Sequence, residues 1–227
     1  MASAIIVFSH VRWDLAFQRL QHLLSRLAAR HPVVVIEEPL FDEARTFLHT
    51  CMPVPGVLVC QPHTPVAHPG FHDEQLPYLR NMVQQVVADY PDHIAWFCTP
   101  MALPLLQEMQ AELVVYDCIE HLAAASHAPK QLAQRESALL RTADIVLAAS
   151  PGLHRSRCEL HPNVHYVPAS VDARHFLRSL DRANSHPAHK DIPGPRLGYF
   201  GVLDERIDMD LIARLADAHA QWQIVLA

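Results

Sequence analysis

Apolar positions along the chain fall into two patterns. Short continuous runs occur at Ala4-Ile5-Ile6-Val7-Phe8, Pro32-Val33-Val34-Val35-Ile36, Val57-Leu58-Val59-Cys60, His93-Ile94-Ala95-Trp96-Phe97-Cys98, Leu113-Val114-Val115-Tyr116, Ile145-Val146-Leu147-Ala148-Ala149 and Val164-His165-Tyr166-Val167-Pro168. Runs that are apolar on both faces predict strands buried in a parallel sheet. Between them the apolar residues recur with helical spacing. Leu15, Leu20, Leu23, Leu24 and Leu27 predict a helix that Asp14 caps and that ends near Arg30, with Arg19, Arg26 and Arg30 on its flanks. Further helices are predicted over 73–90, over 101–110 with Pro104 in or near the first turn, and over 152–160.

The clearest unit is 112–150. A strand ends on Asp117, and a polar turn carries Glu120 and His121. A helix then sets Leu132, Leu139, Leu140 and Ala143 against Lys130, Gln134, Arg135 and Arg141, and a second strand follows. Strand, helix and strand in this order describe a βαβ crossover. The predicted fold class is α/β, a Rossmann-like parallel sheet flanked by helices, over 1–181. Residues 182–195 are polar and proline-bearing and are expected to be a linker. Residues 196–227 then read as strand, helix and strand, the first βαβ of a second Rossmann-like domain. That unit is too small to bury a core by itself, so the sequence is expected to be truncated just inside the second domain.

Composition narrows the class. Half of the 227 residues are hydrophobic, enough for a substantial core, and a formal charge of −6 without a long basic run argues against nucleic acid as a partner. No apolar stretch reaches the ~18 residues of a membrane span, and the first residues lack the basic region of a signal peptide. The five cysteines, Cys51, Cys60, Cys98, Cys118 and Cys158, contain no CxxC pair and read as reduced thiols of a cytoplasmic protein.

Ligands of parallel α/β sheets bind beyond the carboxyl ends of the strands. Asp117, Glu120 and His121 stand at one such end, His10, Arg12, Trp13 and Asp14 at another, and Cys98-Thr99-Pro100 at a third. Arg12 suits an acidic acceptor or a lipid phosphate, and Trp13 suits stacking on a sugar ring. The plainer alternatives are an Asx turn at Asp117, a core role for Trp13, a cap at Asp14 and packing at Thr99. Cys60, His63, His68, His72 and Asp73 invite a zinc reading, but their spacing matches no standard closed site, and no metal is expected. Arg19, Arg26 and Arg30 beside leucines would suit contact with an anionic membrane surface, although a helix covering one sheet face reads the same way.

The order of these elements resembles the two-domain GT-B glycosyltransferases, and within them the large retaining, nucleotide-sugar-dependent family. Val167-Pro168-Ala169-Ser170-Val171-Asp172-Ala173-Arg174-His175-Phe176 is similar to the family's P-N-G-V-D-x-x-x-F segment, and Leu197-Gly198-Tyr199-Phe200-Gly201 to the first strand and glycine turn of its donor domain. His10 to Leu24 resembles a bacterial polysaccharide-synthesis subgroup. The chain departs from the family at three places. Ser9-His10-Val11-Arg12-Trp13 has no glycine, Val202 and Leu203 stand where a basic clamp is common, and the Glu-x7-Glu segment would lie beyond 227.

The resemblance implies a hexosyltransferase that moves a sugar with retention from a nucleotide sugar to a polysaccharide or lipid-linked acceptor of the cell envelope. It implies no cofactor and no metal, with the work done at the cytoplasmic side of a membrane. Asp117 takes the place of a residue that touches the transferred sugar, while Gly201 and Arg206 lie near the donor phosphates. The portion up to residue 227 is expected to lack most of the donor site and to be inactive alone. The rival is a non-catalytic α/β binding module, favoured by the missing glycine loop and basic pair. The lack of G-x-G-x-x-G after the first strand disfavours a dinucleotide oxidoreductase.

Overall fold

The computed structural model describes residues 2–15, 17–121, 129–204 and 207–227, with Arg182 described by its backbone only. The chain divides into two compact units, Met1–Ser170 and Val171–Ala227, the division falling before the 182–195 segment expected as a linker.

The first unit is a nine-stranded sheet among the described residues. Its central strand β1 (Ala4–Ser9) is buried along its whole length and pairs in parallel with β2 (Val33–Glu37) on one side and β6 (His93–Phe97) on the other. Beyond β2 lies β5 (Val57–Thr64), and beyond β6 follow β7 (Leu113–Cys118), β8 (Ile145–Ala148) and β9 (Val164–Tyr166), all parallel. The period of two splits each strand between two cores. Ile5, Val7, Val33 and Val35 pack with Leu20 and Leu24 of α1 (Arg19–Leu27). Ile6, Phe8, Val34 and Ile36 pack with Leu79 and Val83 of α2 (Leu76–Asp89) and Leu139 of α3 (Leu132–Thr142). Phe8 stacks on Phe97 at 4.9 Å. Helices therefore cover both faces, as a doubly wound sheet requires.

Several boundaries differ from the sequence expectation for physical reasons. Helix α1 starts at Arg19 with Gln18 as its N-cap, and Asp14 sits exposed in a preceding turn. Trp13 is drawn away because its backbone N–H donates to Glu37, which leaves Asp14 no helix to cap. Strand β7 continues through Asp117 to Cys118, so Asp117 is a strand residue and does not form a turn. The segment Pro100–Glu108 is a 3-10 helix holding Pro104, whose missing N–H cannot join an α-helical ladder.

The strand expected at Val57–Cys60 is one arm of a hairpin whose other arm was not expected. β4 (Phe47–Val54) runs antiparallel to β5 and turns at Pro55-Gly56, with φ +79 at Gly56. The short β3 (Leu40–Phe41) also pairs with β5, one residue out of the β2 register, which marks a bulge around Glu37–Pro39. Helix α4 (Pro151–Cys158) closes the first unit's helix set.

The second unit holds the short helix α5 (Ala173–Leu177), 3-10 turns within the segment expected as a linker, and a parallel pair β10 (Arg196–Tyr199) and β11 (Gln223–Leu226) joined through α6 (Met209–Ala218). This is the βαβ unit expected from the sequence.

Candidate functional site

Strand order reverses at β1: the chain passes from β1 to β2 on one side and later to β6 and β7 on the other. The crevice beyond the carboxyl ends of β1 and β6 is the switch point where such sheets bind ligands. Side chains that follow β1, β2 and β7 converge there.

His10 leaves β1 into this crevice. Its Nε2 lies 3.5 Å from Glu120 Oε1, and the side chains are 18% and 58% exposed. Nδ1 of His10 is buried and has no hydrogen-bond partner among the described residues. Burial holds the His10 pKa below the ordinary imidazole value, against the opposing pull of the Glu120 carboxylate and of the Cys98 backbone beside the ring, so the ring is neutral near pH 7. A neutral ring and an accessible carboxylate thus stand side by side in the crevice.

Arg12 is turned inward. Its Nη1 donates to Glu37 Oε2 at 3.0 Å and its Nη2 to the Glu38 carbonyl at 3.0 Å. The buried Glu37 carboxylate also accepts from the Trp13 backbone at 2.6 Å and from Gln61 Nε2 at 3.0 Å. Arg12 is thus neutralised rather than left for an anionic ligand. Trp13 packs with Ile5, Leu20 and Leu24, so its ring belongs to the core and offers no face to a sugar. Thr99 is buried with its hydroxyl accepting from the Met101 N–H, the cap of the 3-10 helix, so it does not line the crevice with a free hydroxyl. Asp14 is exposed in its turn, and His121 is exposed at the last described residue after β7.

Asp117 is sealed. Arg19 Nη2 donates to its Oδ1 at 3.0 Å, and the two side chains are 8% and 2% exposed. Burial raises the Asp117 pKa, while Arg19 opposes the shift. The Trp96 indole lies close enough to favour the carboxylate, although its N–H makes no geometric hydrogen bond. Arg19 Nη1 also donates to the carbonyls of Val167 and Pro168, at 2.9 and 3.1 Å. The guanidinium therefore fastens α1 to β7 and to the chain leaving β9. It is not a surface charge facing a membrane, and no helix among the described residues is long and apolar enough to cross one.

Glu38 was not singled out from the sequence. Burial pushes its carboxyl up to about 7, with Arg12 opposing. The backbone of Gly70 approaches so closely that a Cβ there would lie 3.0 Å from Glu38 Oε1. The only sequence signal was a pair of acids ending an apolar run. A cavity of about 420 Å³ lined by Ala28, Pro32, Met52, Gly56 and Tyr90 lies at the opposite, amino-terminal edge of the sheet and shares no residue with this cluster.

In the second unit, the Gly201 N–H donates to the Ala227 carbonyl at 2.8 Å, which closes the turn after β10. Arg206, the expected phosphate contact, lies outside the described residues.

No protein-family model matches this sequence, and no curated protein matches it significantly. Solved structures do. A sucrose-phosphate synthase from Thermosynechococcus elongatus superposes with a TM-score of 0.69 at 16% identity, over 99% of this chain and 62% of its own. A structure described as trehalose-6-phosphate from E. coli bound with UDP-2-fluoro glucose gives 0.61 at 10% identity, over 99% of this chain and 64% of its own. A protein of Listeria monocytogenes described as a UDP-N-acetylglucosamine 2-epimerase gives 0.61 at 10% identity, over 99% of this chain and 62% of its own. The chain thus spans less than two thirds of each. At these identities the likeness shows the fold alone, which is of the GT-B type.

Proposed function

We propose that the chain is the acceptor-side portion of a glycosyltransferase that moves a sugar, with retention, from a nucleotide sugar to a saccharide or lipid-linked saccharide acceptor. The observation that carries this reading is the pairing of neutral His10 with accessible Glu120 at the switch point, on a fold shared with a protein solved with UDP-2-fluoro glucose bound. His10 would hold a sugar hydroxyl through Nε2, the nitrogen that faces Glu120. Glu120 would accept from a second hydroxyl and stabilise positive charge developing at the anomeric carbon. Retention needs no protein nucleophile if the leaving diphosphate takes the acceptor proton.

The sealing of Asp117 assigns it a positioning role in this scheme. It holds Arg19, and Arg19 holds the β7 and β9 ends in register. Gly201 and Arg206 remain the proposed donor-phosphate contacts. No metal or cofactor takes part in this scheme.

The fold also occurs in a 2-epimerase, so transfer and epimerisation need separating. The test is to incubate the protein carrying this sequence with UDP-, GDP- and TDP-sugars and saccharide acceptors, following released nucleoside diphosphate and the anomeric signals of the product by NMR. Acceptor-dependent release that falls at least about tenfold in His10→Ala supports the proposal. Turnover of the donor without an acceptor product would point to epimerisation. Absence of any turnover would favour a non-catalytic binding module, the reading supported by the internal pairing of Arg12 and Glu37.

A further inference from the structure

The loop over residues 65–72, between β5 and the turn into α2, is fastened from below. Gln75 is buried, and its Nε2 donates to the carbonyls of Val66 at 3.1 Å and His68 at 2.8 Å. Its Oε1 accepts in turn from the Thr64 hydroxyl. At the end of the loop, His72 caps the 3-10 turn Asp73–Gln75, with its Nδ1 accepting from the Glu74 N–H at 3.3 Å. These contacts present three ligand-bearing side chains together on the surface. The His68 and His72 rings stack at 4.3 Å, and His68 Nε2 lies 3.5 Å from Glu74 Oε1. One ligand atom from each of His68, His72 and Glu74 falls within 4.8 Å of the others.

The set differs from the one the sequence suggested. Cys60 is buried in β5, His63 stacks on Phe47 at 4.3 Å, and Asp73 is paired with Arg135. Glu74 enters in their place.

We infer that His68, His72 and Glu74 form a binding site for a divalent transition-metal ion of the zinc class. Two imidazole nitrogens and one carboxylate oxygen are the donor set of open zinc sites, with water completing the shell. Tetrahedral bonds of about 2.0–2.1 Å place neighbouring donors about 3.3 Å apart, so the three groups close by at most about 1.5 Å. Glu74 and His68 are more than half exposed and have room to do so. Coordination displaces the long Glu74 N–H bond to His72. At Nδ1 the metal takes the lone pair itself, and at Nε2 it needs the proton moved to Nδ1. That bond is weak beside a metal–nitrogen bond. Because Gly70 of the same loop lies against Glu38, the ion would pin a loop that borders the carboxyl edge of the sheet.

The test is calorimetric titration of the untagged chain with ZnCl2, repeated with CoCl2 while following visible absorption. The chain has 17 histidines, so variants must assign the site. His154 and Cys158 make the natural control, since their Nε2 and Sγ lie 3.5 Å apart on α4. One saturable site is expected, weakened at least about tenfold in His68→Ala and in His72→Ala, weakened in Glu74→Gln and unchanged in His154→Ala. His68→Ala removes only an exposed side chain, so its fold, checked by circular dichroism, should be intact. Absence of saturable binding overturns the inference, as does binding that survives His68→Ala or is lost in His154→Ala.

Discussion

Arg19 and Asp117, 98 residues apart in sequence, meet as a buried ion pair at 3.0 Å, and the same guanidinium holds the carbonyls of Val167 and Pro168. One side chain thereby joins the first helix, the strand β7 and the chain leaving β9. Asp117→Ala leaves that cation buried and uncompensated, and is expected to cost about 3–5 kcal/mol. Arg19→Met combined with Asp117→Leu should cost less than Asp117→Ala alone. Urea unfolding of the single and double variants measures both.

Glu37 answers three donors from two places in the chain: Arg12, the adjoining Trp13 backbone, and Gln61. Glu37→Gln keeps the shape but turns an NH2 toward one set of those donors. A loss of about 2–3 kcal/mol is expected by urea unfolding, from a buried donor left without an acceptor. Glu37→Asp, which is too short to reach all three donors, should also destabilise.

Glu38 gives stability a pH dependence of definite sign. Its folded pKa of about 7 stands above the ordinary value of 4.5, so between these values the folded state binds more protons than the unfolded one. Its contribution is fully present below the unfolded pKa and is lost as pH rises through about 7. Glu38→Gln removes this loss. The variant should gain on the parent between pH 5 and pH 8 by at most about 3 kcal/mol, read from unfolding at the two pH values. An equal difference at both pH values would show that the carboxyl does not titrate in this window.

Gly56 turns the hairpin with φ +79, and a Cβ there would stand 3.0 Å from the Ala28 carbonyl. Gly56→Ala therefore meets both an unfavourable backbone and a backbone oxygen. It is expected to lower stability by about 1–3 kcal/mol. Thermal unfolding checks this, with Gly152→Ala as control, since a Cβ at Gly152 meets no atom within 4 Å.

The parallel sheet was legible because its strands are buried on both faces and announce themselves as unbroken apolar runs. The hairpin strand β4 was not. Most of its residues are exposed, and Cys51 and Met52 sit on the surface, so neither alternation nor a continuous run marks it. The Pro55-Gly56 turn was its one local sign. At the site, the sequence placed His10, Glu120 and Asp117 at one sheet edge. It could not show that Asp117 is committed to Arg19, because the pairing comes from helix placement rather than spacing. The same holds for Glu37, which holds Trp13 and so delays the start of α1.

The most direct measurement is saturation-transfer NMR of the chain with mono- and oligosaccharides, comparing the parent with His10→Ala and Glu120→Gln. Neither substituted side chain lies in the core, so both variants should fold. Transfer to the saccharide is expected with the parent and should be lost or strongly reduced in both variants. Equal transfer in all three proteins, or none with the parent, would contradict a sugar-binding role for the crevice beyond the carboxyl ends of β1 and β6.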